Sequence, residues 1–206
     1  MIEAITDILF RKTLDAMKGL PADLRVAFNL SARDLVSEQS MTGVCKLVRE
    51  SGIDPNRLEF EITETAMMKN FEGARRGLET LSAMGCRIAL DDFGSGYSSF
   101  GYIQRFPLDK IKLDRSFLTS SEEGTVSQNI IHAIVDLCRN LGVDCLIEGV
   151  ENETQLKTVQ AAGGRYVQGY YFSRPMPVAN VRAYIEDERS KLRSLQDDRR
   201  GLPVDH

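Results

Sequence analysis

The chain has 206 residues, a mass of 23.1 kDa and a formal net charge of −4 at pH 7. Its composition of 42% hydrophobic and 27% charged residues is typical of a globular protein with one sizeable core, and the length is short for two ordinary domains plus a linker. The acidic balance argues against a general nucleic-acid-binding surface, so we expect no DNA partner. The sequence has no apolar run of about 18 residues and no signal segment, which predicts a chain without a membrane span.

Short apolar segments alternate with helical segments along the chain. The spacing of Ile5, Ile8, Leu9, Ala16 and Met17 predicts an amphipathic first helix over residues 2–19. Runs rich in β-branched residues predict six strands, over residues 24–29, 58–62, 86–90, 110–113, 143–147 and 166–172. Helices are predicted over residues 31–51, 65–84, 125–141, 154–162 and 178–192, with a short one ending near residue 105. Such βα alternation predicts a parallel sheet or barrel.

Most of the predicted strands end on, or run into, a polar side chain. In parallel βα folds the carboxyl ends of the strands meet at one rim, where functional residues gather. We therefore expect one cluster made of Asn29, Glu61, Glu64, Asp91, Asp92, Lys112, Glu148 and Gln168. So many acids would repel one another unless cations lay between them, and oxygen ligands suit Mg²⁺ or Mn²⁺. The sequence therefore predicts a metal site at this rim.

Three residues in this set, Asp91, Asp92 and Lys112, carry specific expectations. Asp91 and Asp92 are adjacent, so within a regular strand their side chains would point to opposite faces. Both can reach metal ions only where the strand gives way to a loop, and the glycines that follow allow that bend. Ile111 and Leu113 flank Lys112, which places the lysine inward if its neighbours face the helices. Among the aromatic residues we expect Phe172 in the core, whereas Tyr97, Phe100 and Tyr170 fit either the core or base stacking.

Six stretches follow one another in a fixed order along the chain. They are Asn-Leu-Ser at 29–31, Glu-Ile-Thr-Glu at 61–64, Asp-Asp-Phe-Gly-Ser-Gly-Tyr-Ser-Ser at 91–99, Lys-Leu-Asp at 112–114, Glu-Gly-Val-Glu at 148–151 and Gln-Gly-Tyr at 168–170. Together they resemble the EAL family of cyclic-di-GMP phosphodiesterases. The resemblance implies an α/β fold, a modified TIM-like (β/α)₈ barrel. It also implies opening of one phosphodiester of cyclic-di-GMP to linear pGpG, with two divalent ions.

The resemblance also implies a role for each matching residue. Asn29, Glu61 and Asp91 are similar to the first metal's ligands, with Asp91 bridging to a second ion that Asp92 also binds. Lys112 resembles the residue that orients water or stabilises phosphoryl charge, Glu148 a second-metal ligand or general base, and Gln168 a water-positioning amide. The remaining matches are assigned to the substrate site and its glycine-rich loop; they are Glu64, Phe93, Gly94, Ser95, Gly96 and Glu151.

The Glu-Ala-Leu motif itself is absent, and only six of the eight strands can be found, so the barrel is expected to be incomplete at the N-terminus. We assign residues 1–192 to this partial barrel and residues 193–206 to a charged tail. Three explanations fit: a fragment of a larger enzyme, a natural truncation that only binds nucleotide or a protein, or a second copy that covers the open edge. We expect lost or impaired catalysis and a homodimer, with sensory or membrane domains attached in any longer parent.

The four cysteines form no Cys-x-x-Cys pair, and they stand at positions 45, 86, 138 and 145. Scattered cysteines in a chain of this size are typical of reduced thiols, so we expect a cytoplasmic protein.

Overall fold

A computed structural model describes residues 2–94, 100–119 and 124–200 of the chain. Its centre is one parallel sheet of six strands in sequential order, as predicted. The strands are β1 (Val26–Asn29), β2 (Leu58–Thr63), β3 (Arg87–Phe93), β4 (Lys110–Leu113), β5 (Asp144–Ile147) and β6 (Tyr166–Val167). Parallel neighbours need crossover connections, and helices supply them. The sheet therefore forms a six-stranded half-barrel.

The described helices lie between the strands and at both ends of the chain. They are α1 (Ile2–Lys18), α2 (Ala32–Val36), α3 (Glu38–Glu50), α4 (Glu64–Lys69), α5 (Phe71–Ala83), α6 (Phe100–Ile103), α7 (Ser116–Thr119), α8 (Gly124–Leu141), α9 (Glu153–Ala161) and α10 (Val178–Arg200), with a 3₁₀ turn at Pro55–Arg57. None of the described helices combines the length and the apolar character that crossing a membrane requires.

The two faces of the sheet differ in chemistry. One face packs on the helices; there Phe10 of α1 lies 4.8 Å from Phe28 of β1 and 5.5 Å from Phe60 of β2, measured between ring centroids. Side chains alternate along a strand, so the residues between these aromatic groups point to the other face. That second face carries charged side chains, among them the buried Glu59, Glu61 and Lys112. The strands thus form an apolar core on one side and hold a charged interior on the other.

Two predicted helices are each divided into two, and each break has a side-chain cap. Ser37 separates α2 from α3, and its hydroxyl accepts a hydrogen bond from the Ser40 amide at 3.1 Å. Asn70 separates α4 from α5, and its Oδ1 accepts from the Gly73 amide at 3.0 Å. Such caps satisfy amides at a helix start that have no partner within the helix. The apolar periodicity continues across both breaks, so periodicity alone did not reveal them.

The predicted apolar stripe of the first helix is wrong in part. Phe10, Leu14 and Met17 are buried, whereas Ile5 and Ile8 are about half exposed at 51% and 52%. Helix α1 therefore presents a different face to the sheet, one that includes the aromatic contact with β1 and β2.

The last predicted strand is also too long. β6 ends at Val167, and the chain then turns at Gly169, whose backbone lies against Val150 so closely that a Cβ would fall 2.0 Å from the Val150 carbonyl oxygen. Phe172, expected in the core, is 46% exposed because it lies beyond this turn. The final helix continues past the predicted end to Arg200, so it includes residues 193–200 of the expected tail.

Candidate metal centre

Lys112 lies at the centre of the acidic residues that end the strands. Its side chain extends from β4, and Nζ is 2.9 Å from Glu61 Oε1 on β2, 2.9 Å from Asp91 Oδ1 on β3 and 2.9 Å from Glu148 Oε1 after β5. Lys112 is only 5% exposed, while Ile111 and Leu113 are fully buried on the opposite face. The inward orientation predicted from this alternation is therefore confirmed. Four neighbouring strands contribute to one compact site.

A second group of acids overlaps the first. Carboxylate oxygens of Asp91, Asp92 and Glu148 all lie within 4.8 Å of one another. Adjacent residues can both face this site because the β3–β4 pairing shifts register between Leu90 and Phe93, and Asp92 has φ +54°. Such a bulge re-aims a side chain without ending the strand. The bend begins at Asp92, within β3 and one step before the predicted glycines, of which Gly94 also has a positive φ of +93°.

The protonation preferences of the site follow from burial and charge. Burial raises the pKa of Glu61 and of Glu148 above the usual carboxyl range, and the nearby Lys112 cation opposes that shift without cancelling it. Burial, followed by repulsion from Asp91, also raises the pKa of Asp92. Burial alone would lower the pKa of Lys112, but its three carboxylate partners outweigh burial and raise the pKa. Lys112 is therefore an ammonium ion, and two of the carboxyl groups beside it, Glu61 and Glu148, retain protons more readily than usual.

The donor set fits a hard divalent cation. Lys112 supplies one positive charge to the carboxylates of Glu61, Asp91 and Glu148, and Asp92 adds a fourth carboxylate within 4.8 Å of Asp91 and Glu148. Asp91 Oδ1 is buried and lies 2.9 Å from Lys112 without hydrogen-bond geometry, so a further cation would offset both the excess negative charge and the cost of burying this oxygen. Carboxylates with no histidine or thiolate among them are the ligands that Mg²⁺ and Mn²⁺ prefer. Asp91, Asp92 and Glu148 are thus the residues best placed to hold a metal, with Glu61 beside them.

Two further predicted residues border this group without a described side-chain contact to it. Asn29 ends β1 opposite Glu61 in the strand register, and its side chain is exposed. Gln168 follows β6, and its backbone amide donates to the Ile147 carbonyl at 2.9 Å, next to Glu148. The Gln168 side chain is also exposed. Both residues therefore lie at the rim, on either side of the lysine-centred cluster.

The residues assigned to the glycine-rich loop and the substrate site occupy varied positions. Glu64 is buried as the first residue of α4, and Phe93 is the buried last residue of β3 rather than a loop residue. Gly94 has φ +93°, and a Cβ there would fall 2.3 Å from the Phe117 ring. Glu151 is exposed in the turn before α9. Ser95 and Gly96, together with Tyr97, lie outside the described residues.

A second charged layer was missed by sequence reasoning. It lies closer to the N-terminal ends of the strands than the lysine-centred cluster does. It consists of Glu59, Arg87, Lys110 and Asp144, and we call it the lower charged layer. Lys110 Nζ is 2.6 Å from Glu59 Oε1, and Arg87 Nη2 is 3.2 Å from Asp144 Oδ2. Glu59 precedes Glu61 by two residues, and Lys110 precedes Lys112 by two, so the same alternation that placed Lys112 inward could have revealed them.

Comparison with known proteins gives a consistent family. A family model described as the EAL domain matches residues 1–175. The chain is 36% identical over 203 residues to the cyclic di-GMP phosphodiesterase NbdA of Pseudomonas aeruginosa, covering 95% of this chain and 26% of that protein. It is 36% identical over 160 residues to the cyclic di-GMP phosphodiesterase PdeR of Escherichia coli, covering 78% of this chain and 24% of that protein. The chain thus spans about a quarter of the length of these relatives.

Solved structures share the fold. The PaMucR phosphodiesterase in complex with c-di-GMP aligns with a TM-score of 0.76 at 34% identity, covering 87% of this chain and 72% of that one. Klebsiella pneumoniae BlrP1, in a complex with manganese and cyclic-di-GMP, aligns with a TM-score of 0.75 at 29% identity, covering 84% of this chain and 45% of that one. The half-barrel therefore matches part of the TIM-like fold of EAL structures, some of which contain divalent ions.

Proposed function

Since the chain belongs to the EAL domain family, we propose that it acts on cyclic-di-GMP and opens one phosphodiester bond to give linear pGpG. The observation that carries the proposal is the lysine-centred cluster, in which Lys112 Nζ contacts carboxylates from three other strand ends at 2.9 Å. The relatives named as cyclic di-GMP phosphodiesterases and the complex with c-di-GMP support the choice of substrate.

The proposed cofactors are two divalent ions, Mg²⁺ or Mn²⁺. Asp91, Asp92 and Glu148 would hold them together with Glu61 and Asn29. Asp91 and Glu148 both belong to the two acidic groups, and the family resemblance assigns the shared position to Asp91. When bound, such ions activate the attacking water and neutralise charge on the phosphate oxygens. The manganese complex of BlrP1 supports this assignment for the family.

The residues of the chain then have distinct tasks in the reaction. The Lys112 ammonium attracts the phosphate and stabilises the negative charge that develops on its oxygens. The Glu148 carboxylate accepts the proton that the attacking water releases, and burial, which raises its pKa, makes it a stronger base than an exposed carboxylate. The Gln168 amide orients the water from the neighbouring strand end. One P–O bond forms with water, the P–O bond to the ribose oxygen breaks, and that oxygen takes up a proton.

A second candidate function is nucleotide binding without turnover. It is favoured by one observation, the absence of any Glu-Ala-Leu sequence from these 206 residues. In the family that glutamate is a further metal ligand. Loss of a residue that only hydrogen-bonds to a ligand typically lowers metal affinity or activity by about 10–100-fold, and loss of the ligand itself should lower them more. We therefore propose that hydrolysis by this chain alone is impaired.

One experiment separates the two candidates. The 206-residue chain is incubated with cyclic-di-GMP and Mn²⁺, pGpG is followed by chromatography, and binding is measured in parallel by calorimetry with Ca²⁺. Formation of pGpG that stops with a chelator and with Asp91→Asn supports the hydrolase. Binding without pGpG supports the binding module, and absence of both results rejects both functions.

A cytoplasmic location and a homodimer remain predictions. Light scattering at high protein concentration tests the homodimer.

A further inference from the structure

Asp34 is a buried carboxylate that stands outside the lysine-centred cluster. It belongs to α2 and is only 1% exposed. The Ser31 amide, at 3.1 Å, and the Ser31 hydroxyl donate to its Oδ2, and the Ser40 hydroxyl donates to its Oδ1 at 2.9 Å. Burying a carboxylate is costly unless hydrogen-bond donors satisfy it, and the two serines supply three. These bonds fix the position of Asp34 relative to both serines.

The two serines belong to different segments of the chain. Ser31 is the residue before α2, and its hydroxyl also accepts from the Asp34 amide at 3.3 Å, so the two residues form a reciprocal capping box. Ser40 is a buried residue in the first turn of α3, beyond the break at Ser37. Asp34 thus links the turn that follows β1 to both α2 and α3.

The end of β1 has fewer supports than the other strand ends of the site. β1 is an edge strand of the described sheet, with β2 as its one neighbour, whereas β2, β3, β4 and β5 have a strand on either side. The Leu30 amide donates to the Glu61 carbonyl at 2.9 Å, and the next amide, that of Ser31, donates to Asp34 instead. The Asn29 side chain is exposed, so core packing does not fix its direction. Its direction therefore depends on these two backbone anchors.

We propose that Asp34 is a positioning residue for the metal site. It holds Ser31, and thereby fixes the orientation in which Asn29 is presented to a divalent ion. The inference rests on the proposed function, in which Asn29 is one of the metal ligands, and it assigns Asp34 no contact with the ion. Replacing a residue that orients a ligand typically lowers metal affinity by about 10–100-fold. Because Asp34 acts through a backbone turn, we expect an effect of about 10-fold.

Another helix cap provides a matched control. Asn70 caps α5, and its Oδ1 accepts from the Gly73 amide at 3.0 Å, but the residue is exposed and lies after β2 rather than β1. Asn70→Ala therefore weakens a helix start and leaves the turn after β1 unchanged. It separates the loss of a cap, which lowers stability, from the loss of the Asn29 orientation.

A double-mutant cycle with Mn²⁺ tests the proposal. Calorimetric titration gives the Mn²⁺ affinity of the unaltered 206-residue chain, Asp34→Asn, Asn29→Ala and the double variant, at a temperature at which circular dichroism shows each to be folded. Asparagine keeps the volume of Asp34 but replaces one acceptor oxygen with a donor, so one of the two serines loses its acceptor. We expect Asp34→Asn to lower the affinity about 10-fold in the unaltered chain. When Asn29 is already alanine, the loss should be less than about twofold, because there is no ligand left to orient. Asn70→Ala should leave the affinity unchanged.

The other results count against the proposal. An equal loss of affinity in both backgrounds, or no loss in either, overturns it, because a merely structural role of Asp34 would not depend on Asn29. If Asp34→Asn fails to fold, Ser40→Ala takes its place in the cycle; it removes one donor to Asp34, and a loss that is absent or independent of Asn29 overturns the proposal equally. Failure of the proposed metal site is a distinct result. An unaltered chain whose Mn²⁺ affinity does not fall with Asp91→Asn has no such site, and both proposals are then rejected.

Discussion

Replacing Lys112 with methionine is the sharpest perturbation of the candidate site. Methionine has nearly the length of the lysine stem but no charge, so Lys112→Met leaves the carboxylates of Glu61, Asp91 and Glu148 without the cation that lies 2.9 Å from each. Because the lysine is only 5% exposed, water cannot fully replace it. The variant therefore tests whether the acids depend on a positive charge at their centre.

The expected cost is large for a single substitution. Removing one partner from a buried ion pair typically destabilises a protein by about 3–5 kcal/mol. The acids can limit this loss by taking up protons, since each pKa unit corresponds to about 1.4 kcal/mol. Burial already raises the pKa of Glu61 and Glu148, so this relief is available. We therefore expect Lys112→Met to lower the free energy of unfolding by about 3 kcal/mol near neutral pH without metal.

Urea unfolding with and without Mn²⁺ measures the effect. A divalent ion can replace the lost charge, so saturating Mn²⁺ should restore about 2–3 kcal/mol, the stabilisation expected at about 100 times the dissociation constant. Lys46→Met is the matched control, because Lys46 is 68% exposed and 3.8 Å from Glu50, and a surface change of this kind costs about 0.5 kcal/mol or less. The reasoning is refuted if both variants lose the same stability or if Mn²⁺ has no larger effect on Lys112→Met.

Three further predictions concern the same rim. Asp91→Asn should lower the Mn²⁺ affinity by at least about 100-fold in a calorimetric titration, since Asp91 belongs to both acidic groups; an unchanged affinity would exclude it as a ligand. Because the folded-state pKa values of Glu61 and Glu148 are raised, these two carboxyl groups bind more protons in the folded than in the unfolded chain above about pH 4.5, and their contribution to metal-free stability falls as pH rises through the folded-state pKa values. The Mn²⁺-induced rise in melting temperature should therefore grow from about pH 5 to pH 8, and a rise that is constant with pH contradicts this. Gly169→Ala should unfold at a clearly lower urea concentration, because its Cβ would fall 2.0 Å from a backbone oxygen, whereas Gly43→Ala, with open space around it, should be neutral or stabilising.

Much of the sheet was predictable because short stretches of sequence are enough to indicate where the strands lie. A parallel strand buried on both faces needs a continuous apolar run, and Arg87–Phe93 carries one, Ile-Ala-Leu, before its acidic end, whereas Leu58–Thr63 alternates apolar and acidic residues. The inward position of Lys112 followed from alternation alone. These features depend on neighbouring residues in the chain, so the sequence displays them directly.

Other features depend on contacts between distant segments. The short β6 results from the close approach of Gly169 to Val150, a backbone contact that no local pattern encodes. The bulge at Asp92 depends on the register against β4, and its φ of +54° is unusual for a residue other than glycine. The lower charged layer was overlooked because charged side chains within an otherwise apolar strand, such as Glu59, suggest solvent exposure when the partner on another strand is unknown.

The central claim is that the ends of these strands hold divalent cations. The most direct measurement is anomalous X-ray scattering from crystals of the chain soaked in Mn²⁺. We predict a manganese peak among the carboxylates of Asp91, Asp92 and Glu148. Diffraction data with no anomalous peak there, or with peaks only on the outer surface of the helices, would contradict the account.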